Sequence, residues 1–168
     1  MSLKQHHSDA ARPVAVAVLT VSDTRTAESD HGGALVIELL NEAGHGVVDR
    51  EIAPDEPMLI AELVARWVEN PDVQAVLLTG GTGIAPRDLT YETITTMLTK
   101  QLPGYGELFR MLSYQEIGPA AMLSRAVGGV CGDTVVLTMP GSTAAVRLAM
   151  EKLILPELGH LVNEATKY

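Results

Sequence analysis

Cysteine is almost absent from this chain: Cys131 stands alone among 168 residues. No internal disulfide can form. With no histidine beside it in a catalytic pattern, Cys131 between Val130 and Gly132 reads as a small buried apolar residue rather than a nucleophile. Metal-ligand spacing is missing too, since His31, His45 and His160 stand apart and His6 and His7 are neighbours, so no structural zinc is expected. Basic residues are few: 12 Lys and Arg against 21 Asp and Glu give a formal net charge of −9. That balance speaks against nucleic acid as a partner, because affinity for a phosphate backbone comes from clustered Lys and Arg. An anionic ligand must instead be held by backbone N–H groups, by a few arginines, or through a divalent cation bridging it to carboxylates. No apolar run reaches the roughly 20 residues that span a bilayer, and "MSLKQHHSDAARP" carries no signal-peptide core. The expectation is a cytoplasmic protein with no membrane partner.

Aromatic residues make up only 4%, yet 46% of the chain is hydrophobic. Val, Leu, Ile and Ala must therefore build the core, as in strands buried on both faces of a parallel sheet. The length suits one domain, able to bury roughly two-thirds of the surface its unfolded form exposes. Residues 1–12 read as a polar tail and 13–168 as a single domain. Val14–Val21 reads as a first buried strand, Ala34–Ala43 as a helix with Gly44 at its C-terminal cap, and "HGVVDREIA" as a second strand. Asp55, Glu56 and Pro57 carry a helix-start signature, after which Leu59, Ile60, Leu63, Val64, Trp67 and Val68 fall on one face. Val73–Leu78 reads as a third strand, Thr90–Lys100 as a helix, and "GELFRMLSYQEIG" as another, with Leu108, Met111 and Leu112 available for packing. "AVGGVC" and "DTVVLTMP" read as strands, followed by a helix from Ser142 to about Leu155 that restarts after Pro156. Strands alternating with helices imply a layered α/β domain with a largely parallel sheet.

The third strand runs into "TGGTGIAPRD", where apolar residues give way to glycines. Counted from Gly81, a Rossmann fingerprint would need glycine at Pro86, and the sequence has Ile84 and Ala85 where a P-loop ending would begin. What remains is a glycine loop at the carboxyl end of a parallel strand, the edge at which open α/β sheets bind ligands. Gly80, Gly81 and Gly83 let backbone N–H groups approach an anion, and Thr79 and Thr82 add hydroxyls. A tight strand-to-helix turn is the other account of the same glycines. Asp88 is either an N-cap or a carboxylate holding Mg²⁺ against phosphate oxygens, and Asp55 shares that ambiguity. Asp23 ends the first strand at the same edge. "MPGS", Met139–Ser142, repeats the arrangement after the last strand, with Ser142 as N-cap or anion-receiving helix start. Arg25, Arg87 and Arg125 are available to pair with phosphate.

"TVSDTR", "PDE", "TGGTGIAPRDLT", "MLSRAVGG" and "MPGS", in this order, resemble the MoaB and MogA family of molybdenum cofactor biosynthesis, over nearly the whole chain after the tail. The resemblance is nearer the MoaB branch. It implies a three-layer αβα sandwich with a largely parallel, mixed sheet, assembling as a trimer or as a hexamer made of two trimers. It implies molybdopterin as substrate and ATP as co-substrate with Mg²⁺: the pterin's terminal phosphate attacks the α-phosphate of ATP, giving adenylylated molybdopterin and pyrophosphate, and a MoeA-type partner then inserts molybdenum or tungsten. Carried over by motif, Asp55 and Asp88 handle Mg²⁺–ATP and catalysis, and Thr79, Gly80, Gly81, Thr82 and Gly83 form the phosphate loop. Asp23, Ser124, Arg125, Pro140, Gly141 and Ser142 fall near the pterin and nucleotide. Tyr91 stands where the adenylyltransferase pattern has proline. A pterin carrier without catalysis and a scaffold docking a MoeA-like partner are the alternatives.

Overall fold

A computed structural model of the chain describes residues 12–167. The expected tail therefore lies, except for Arg12, outside the described residues, as do His6 and His7.

A six-stranded mixed sheet runs in the order β2-β1-β3-β6-β5-β4. Its strands are β1 (Ala15–Val21), β2 (Gly46–Ala53), β3 (Ala75–Thr79), β4 (Lys100–Gln101), β5 (Gly128–Cys131) and β6 (Thr134–Met139). The pairs β1–β2, β1–β3 and β3–β6 are parallel, whereas β5 is antiparallel to β6 and β4 is antiparallel to β5. The helices are α1 (His31–Glu42), α2 (Pro57–Val68), α3 (Thr90–Met97), α4 (Pro103–Ile117), α5 (Thr143–Ala149) and α6 (Leu155–Ala165).

Every residue of β3 and β6 is buried, and the strand period of two divides them between two cores. Val16, Val18, Leu77 and Leu137 pack with α1, Phe109, α5 and α6. Their sequence neighbours Ala17, Leu19, Val76, Leu78 and Val136 pack on the other side with Ile60, Val64 and Trp67 of α2 and with Ile94 of α3. This alternation makes the three layers. It also explains the absence of charged residues from β1, β3 and β6, since neither face meets water.

Several boundaries differ from the sequence expectation for identifiable reasons. Helix α1 starts three residues early because Asp30 caps it, accepting from the Gly33 N–H at 2.9 Å. Gly33 is required there, since a Cβ would stand 2.2 Å from Asp30 Oδ2. At the other end Gly44 has φ +82° and the His45 N–H reaches the Leu40 carbonyl, the αL cap expected of it. The helix from Thr90 stops at Met97, because Leu98 turns extended and Thr99 and Lys100 join β5. Pro103 at the first turn starts α4 earlier than expected. On α2, Leu59 is exposed rather than on the buried face. The last helix does not break at Pro156: a π turn, Met150–Ile154, widens the ladder ahead of a residue with no N–H to give, so the chain is helical from Thr143 to Ala165. No helix among the described residues is long and apolar enough to cross a membrane.

Candidate functional site

The parallel strands β1, β3 and β6 all deliver their carboxyl ends to one edge, where the chain must turn in little space. Gly80 and Gly81 take φ +103° and +64°, a region that side chains avoid. A Cβ on Gly80 would lie 2.1 Å from the Val21 carbonyl oxygen, and the Gly80 N–H extends the ladder to the Met139 carbonyl at 3.0 Å. The loops after β3 and β6 also touch, with the ideal Cβ of Gly141 only 3.4 Å from the Gly80 Cα and Thr79 Oγ1 donating to the Pro140 carbonyl at 3.2 Å. The strand-to-turn demand on these glycines is therefore real, and a hollow opens beside it.

That hollow, about 400 Å³, is lined by Gly80, Gly81, Thr82, Gly83, Asp88, Ser124, Pro140, Gly141 and Ser142, all expected at a site. A second hollow of about 410 Å³ lies across the Gly141–Ser142 ridge, with Thr79, Thr20, Ser22, Arg25, Asp30 and Gly32 on its walls. Thr79 thus belongs to the second hollow and not the first. Among the described residues, no hydrogen bond is made by the N–H groups of Gly81, Thr82, Gly83 or Ile84. Gly81, Thr82 and Gly83 line the first hollow, so three consecutive backbone donors without a protein partner border it, a composition suited to an anion. Ser142 caps α5, accepting from the Ala145 N–H at 3.2 Å.

Asp23 and Asp55 are joined by a backbone donor. Asp23 Oδ1 accepts from the Asp55 N–H at 3.2 Å, and both Asp55 oxygens accept from the Leu89 N–H at 3.2 Å. Asp55 does not cap α2; Glu56 occupies that position, and its side chain makes no capping bond to the helix. Burial raises the pKa of the Asp55 carboxyl, and the charges of Asp88 and Asp23 add to that, against the Leu89 N–H and Arg87, which lower it. Asp23 is held below the ordinary carboxylate value chiefly by Arg87, whose guanidinium grips both its oxygens at 2.9 Å and reaches Glu56 at 2.8 Å. Asp88 does not cap α3 either. Its Oδ2 accepts from the Ala85 N–H at 2.9 Å, and no described residue donates to its Oδ1. Thr90, the other candidate cap, has a buried hydroxyl with no partner.

A divalent cation fits this donor set in one respect. Mg²⁺ is commonly held by one or two carboxylates together with ligand phosphates, and Asp88 presents a free carboxylate oxygen on the cavity wall. Asp23 and Asp55 line neither hollow. Among the described residues no group of three or more His, Cys, Asp or Glu converges as a metal cage.

Two of the three arginines are taken up by protein partners, and Arg25 lines the second hollow. Arg25 donates to the Ser29 carbonyl at 2.8 Å, Arg87 is taken by Asp23 and Glu56, and Arg125 donates to the carbonyls of Gly83 and Asp88 at 2.8 Å each while pairing with Glu92. Arg125 does not line the first hollow. The reading of α4 also missed residues. Leu108 and Met111 are about half exposed, and the helix buries Gly106, Phe109 and Ser113 instead. Phe109, Ser113 and Ile117 also line the first cavity. The spacing 106, 109, 113 was the available signal, hidden because two of the three are small or polar.

Comparison with known proteins follows the same outline. Residues 17–160 match the family model described as "Probable molybdopterin binding domain". The molybdenum cofactor biosynthesis protein B of Bacillus cereus is 52% identical over 165 residues, 98% of this chain and 98% of its own. A crystal structure of a molybdenum cofactor biosynthesis protein B is similar at TM-score 0.90 and 52% identity, covering 92% of this chain and 97% of that one. The tungsten cofactor synthesizing protein MoaB from Pyrococcus furiosus is similar at TM-score 0.83 and 33% identity, over 93% and 99% of the two chains.

Proposed function

The chain belongs to the MoaB branch of the molybdopterin-binding-domain family, which serves molybdenum cofactor biosynthesis, and on that premise we propose that it binds molybdopterin in the glycine-loop cavity and adenylylates it. The observation that carries this reading is the run of unpaired N–H groups from Gly81 to Ile84 beside the Asp88 carboxylate. Gly81, Thr82 and Gly83 receive phosphate oxygens, Ser142 borders both hollows, and Ser124 and Pro140 shape the walls. The two adjoining hollows suit two substrates, the pterin and ATP, meeting at the Gly141–Ser142 ridge. Asp88 would hold Mg²⁺ through its free oxygen, with Asp55 behind it, and the ion would supply charge neutralisation on the phosphates. The chain's own contribution is position: it aligns the terminal phosphate of the pterin with the α-phosphate of ATP, so that a P–O bond forms there as pyrophosphate leaves.

The pyrophosphate released by purified protein with molybdopterin and Mg²⁺–ATP tests this, run beside Asp88→Asn. Release that needs the pterin and collapses in the variant is the expected result; no release while the pterin still binds would overturn it. A second reading, a pterin carrier without catalysis, is favoured by one observation: Asp55 is buried against Leu89 and lines neither hollow. Assembly as a trimer or hexamer and docking of a MoeA-type partner belong to the same proposal, and exposed Met111, Tyr114, Ile117 and Met122 offer an apolar surface for either.

A further inference from the structure

Arg125 makes more contacts to the glycine loop than any ligand role needs. Its Nε–H donates to the Gly83 carbonyl at 2.8 Å and its Nη2 to the Asp88 carbonyl at 2.8 Å, and its own backbone N–H donates to the Thr82 carbonyl at 3.1 Å. The remaining Nη1 pairs with Glu92, and the guanidinium lies over the Tyr91 ring at 5.2 Å. One residue thus ties both ends of the loop, Thr82 and Gly83 at the start and Asp88 at the finish. It does so from behind, in a separate hollow that it shares with Tyr91 and Arg110.

The planarity of the peptide bond turns this anchoring into direction. In a trans peptide the carbonyl and the following N–H point opposite ways. With the Thr82 and Gly83 carbonyls both drawn to Arg125, the N–H groups of Gly83 and Ile84 are turned away from it. Those two donors are among the four that have no partner. The Asp88 carbonyl, held by the same fork, fixes the backbone from which the Asp88 carboxylate projects to the cavity.

We propose that Arg125 is a positioning residue that orients the loop's N–H groups and Asp88 without touching the ligand, an inference that rests on reading this loop as a phosphate cradle. Lysine cannot replace it, because a single ammonium lacks the planar fork that spans two carbonyls.

The test compares ligand-free wild type with Arg125→Lys by ¹⁵N relaxation, then titrates both with pyrophosphate and Mg²⁺. Order parameters at Gly83 and Ile84 are expected to fall from about 0.85 to below about 0.6 in the variant, with resonances away from the loop, from Tyr91 and Glu92 and from the substituted position unmoved. Pyrophosphate affinity is expected to fall about tenfold or more, and in wild type the Arg125 Nε–H resonance stays in place through the titration. Unchanged loop order in Arg125→Lys overturns the proposal, as does unchanged affinity or an Nε–H that moves onto the phosphate. Wild type that binds no pyrophosphate removes the cradle reading, and the loop order then still decides whether Arg125 is the clamp.

Discussion

Two glycines three residues apart separate the scaffold from the site. Gly83 does not have a positive φ, so alanine meets no backbone strain there. Its Cβ would stand 2.6 Å from Asp88 Oδ2 and 3.3 Å from Asp88 Cγ, and the carboxylate, at the end of a flexible side chain, is what must move. Moving it breaks the 2.9 Å bond from the Ala85 N–H. A bond to a charged group contributes about 1.5–3 kcal/mol, and in an exposed loop water replaces much of it, leaving a cost of about 1 kcal/mol. For a chain of this size that is a fall in Tm of about 2–4 °C. Gly80→Ala is the contrast: φ +103° and a Cβ 2.1 Å from the Val21 carbonyl oxygen set backbone against backbone between β3 and β1. Strain and overpacking together cost roughly 2–6 kcal/mol. Thermal unfolding of both variants, with pyrophosphate release from molybdopterin and Mg²⁺–ATP, separates the two effects. Gly83→Ala is expected to stay folded and lose turnover because Asp88 has left its place. Full turnover in Gly83→Ala, or a loss of stability matching Gly80→Ala, would refute the reasoning.

Two further variants probe stability against pH. His45 is buried and its Nδ1 accepts from the Val14 N–H at 3.1 Å, a bond only the neutral ring can make, and burial lowers its pKa. Its contribution is present above the unfolded imidazole value of about 6.5 and is lost as pH falls through that value towards the folded pKa. Urea midpoints between pH 8 and pH 5.5 should therefore drop in wild type and drop less in His45→Gln; equal slopes would refute this. Burial raises the pKa of Asp30, but Thr20, Arg50 and the Gly33 N–H lower it further, so the net shift is down. That stability is present above the ordinary carboxylate value and is lost as pH falls through the folded pKa. Asp30→Asn should lose roughly 2–3 kcal/mol at pH 7 in chemical denaturation, less than a fully buried pair because the Arg50 side chain is 31% exposed, with a shallower decline in acid.

The legible and illegible parts of this chain divide by the range of the interaction. β1, β3 and β6 declared themselves because a strand covered on both faces has no polar alternate positions, and that property is local. The glycine loop, Asp23, Asp55 and Asp88 were readable as strand-end residues for a similar reason. What each acid binds was not readable. Asp55 and Asp88 both precede helices, and local rules make both of them caps, yet Asp55 serves a donor 34 residues away and Asp88 closes its own turn. Arg125 reaches across 42 residues to Gly83, and no pattern in "LSRAVGG" tells an arginine that grips carbonyls from one that grips phosphate. Tyr91 shows how such long-range choices explain a local oddity. At its position the adenylyltransferase pattern has proline, which suits the first turn of a helix and offers no aromatic face. Here the ring lies against the Arg125 guanidinium, and a cation over an aromatic face contributes about 0.5–1 kcal/mol at a partly exposed position. The departure from the pattern therefore packs against Arg125, whose guanidinium holds the Gly83 and Asp88 carbonyls, and its physical effect is to steady that guanidinium.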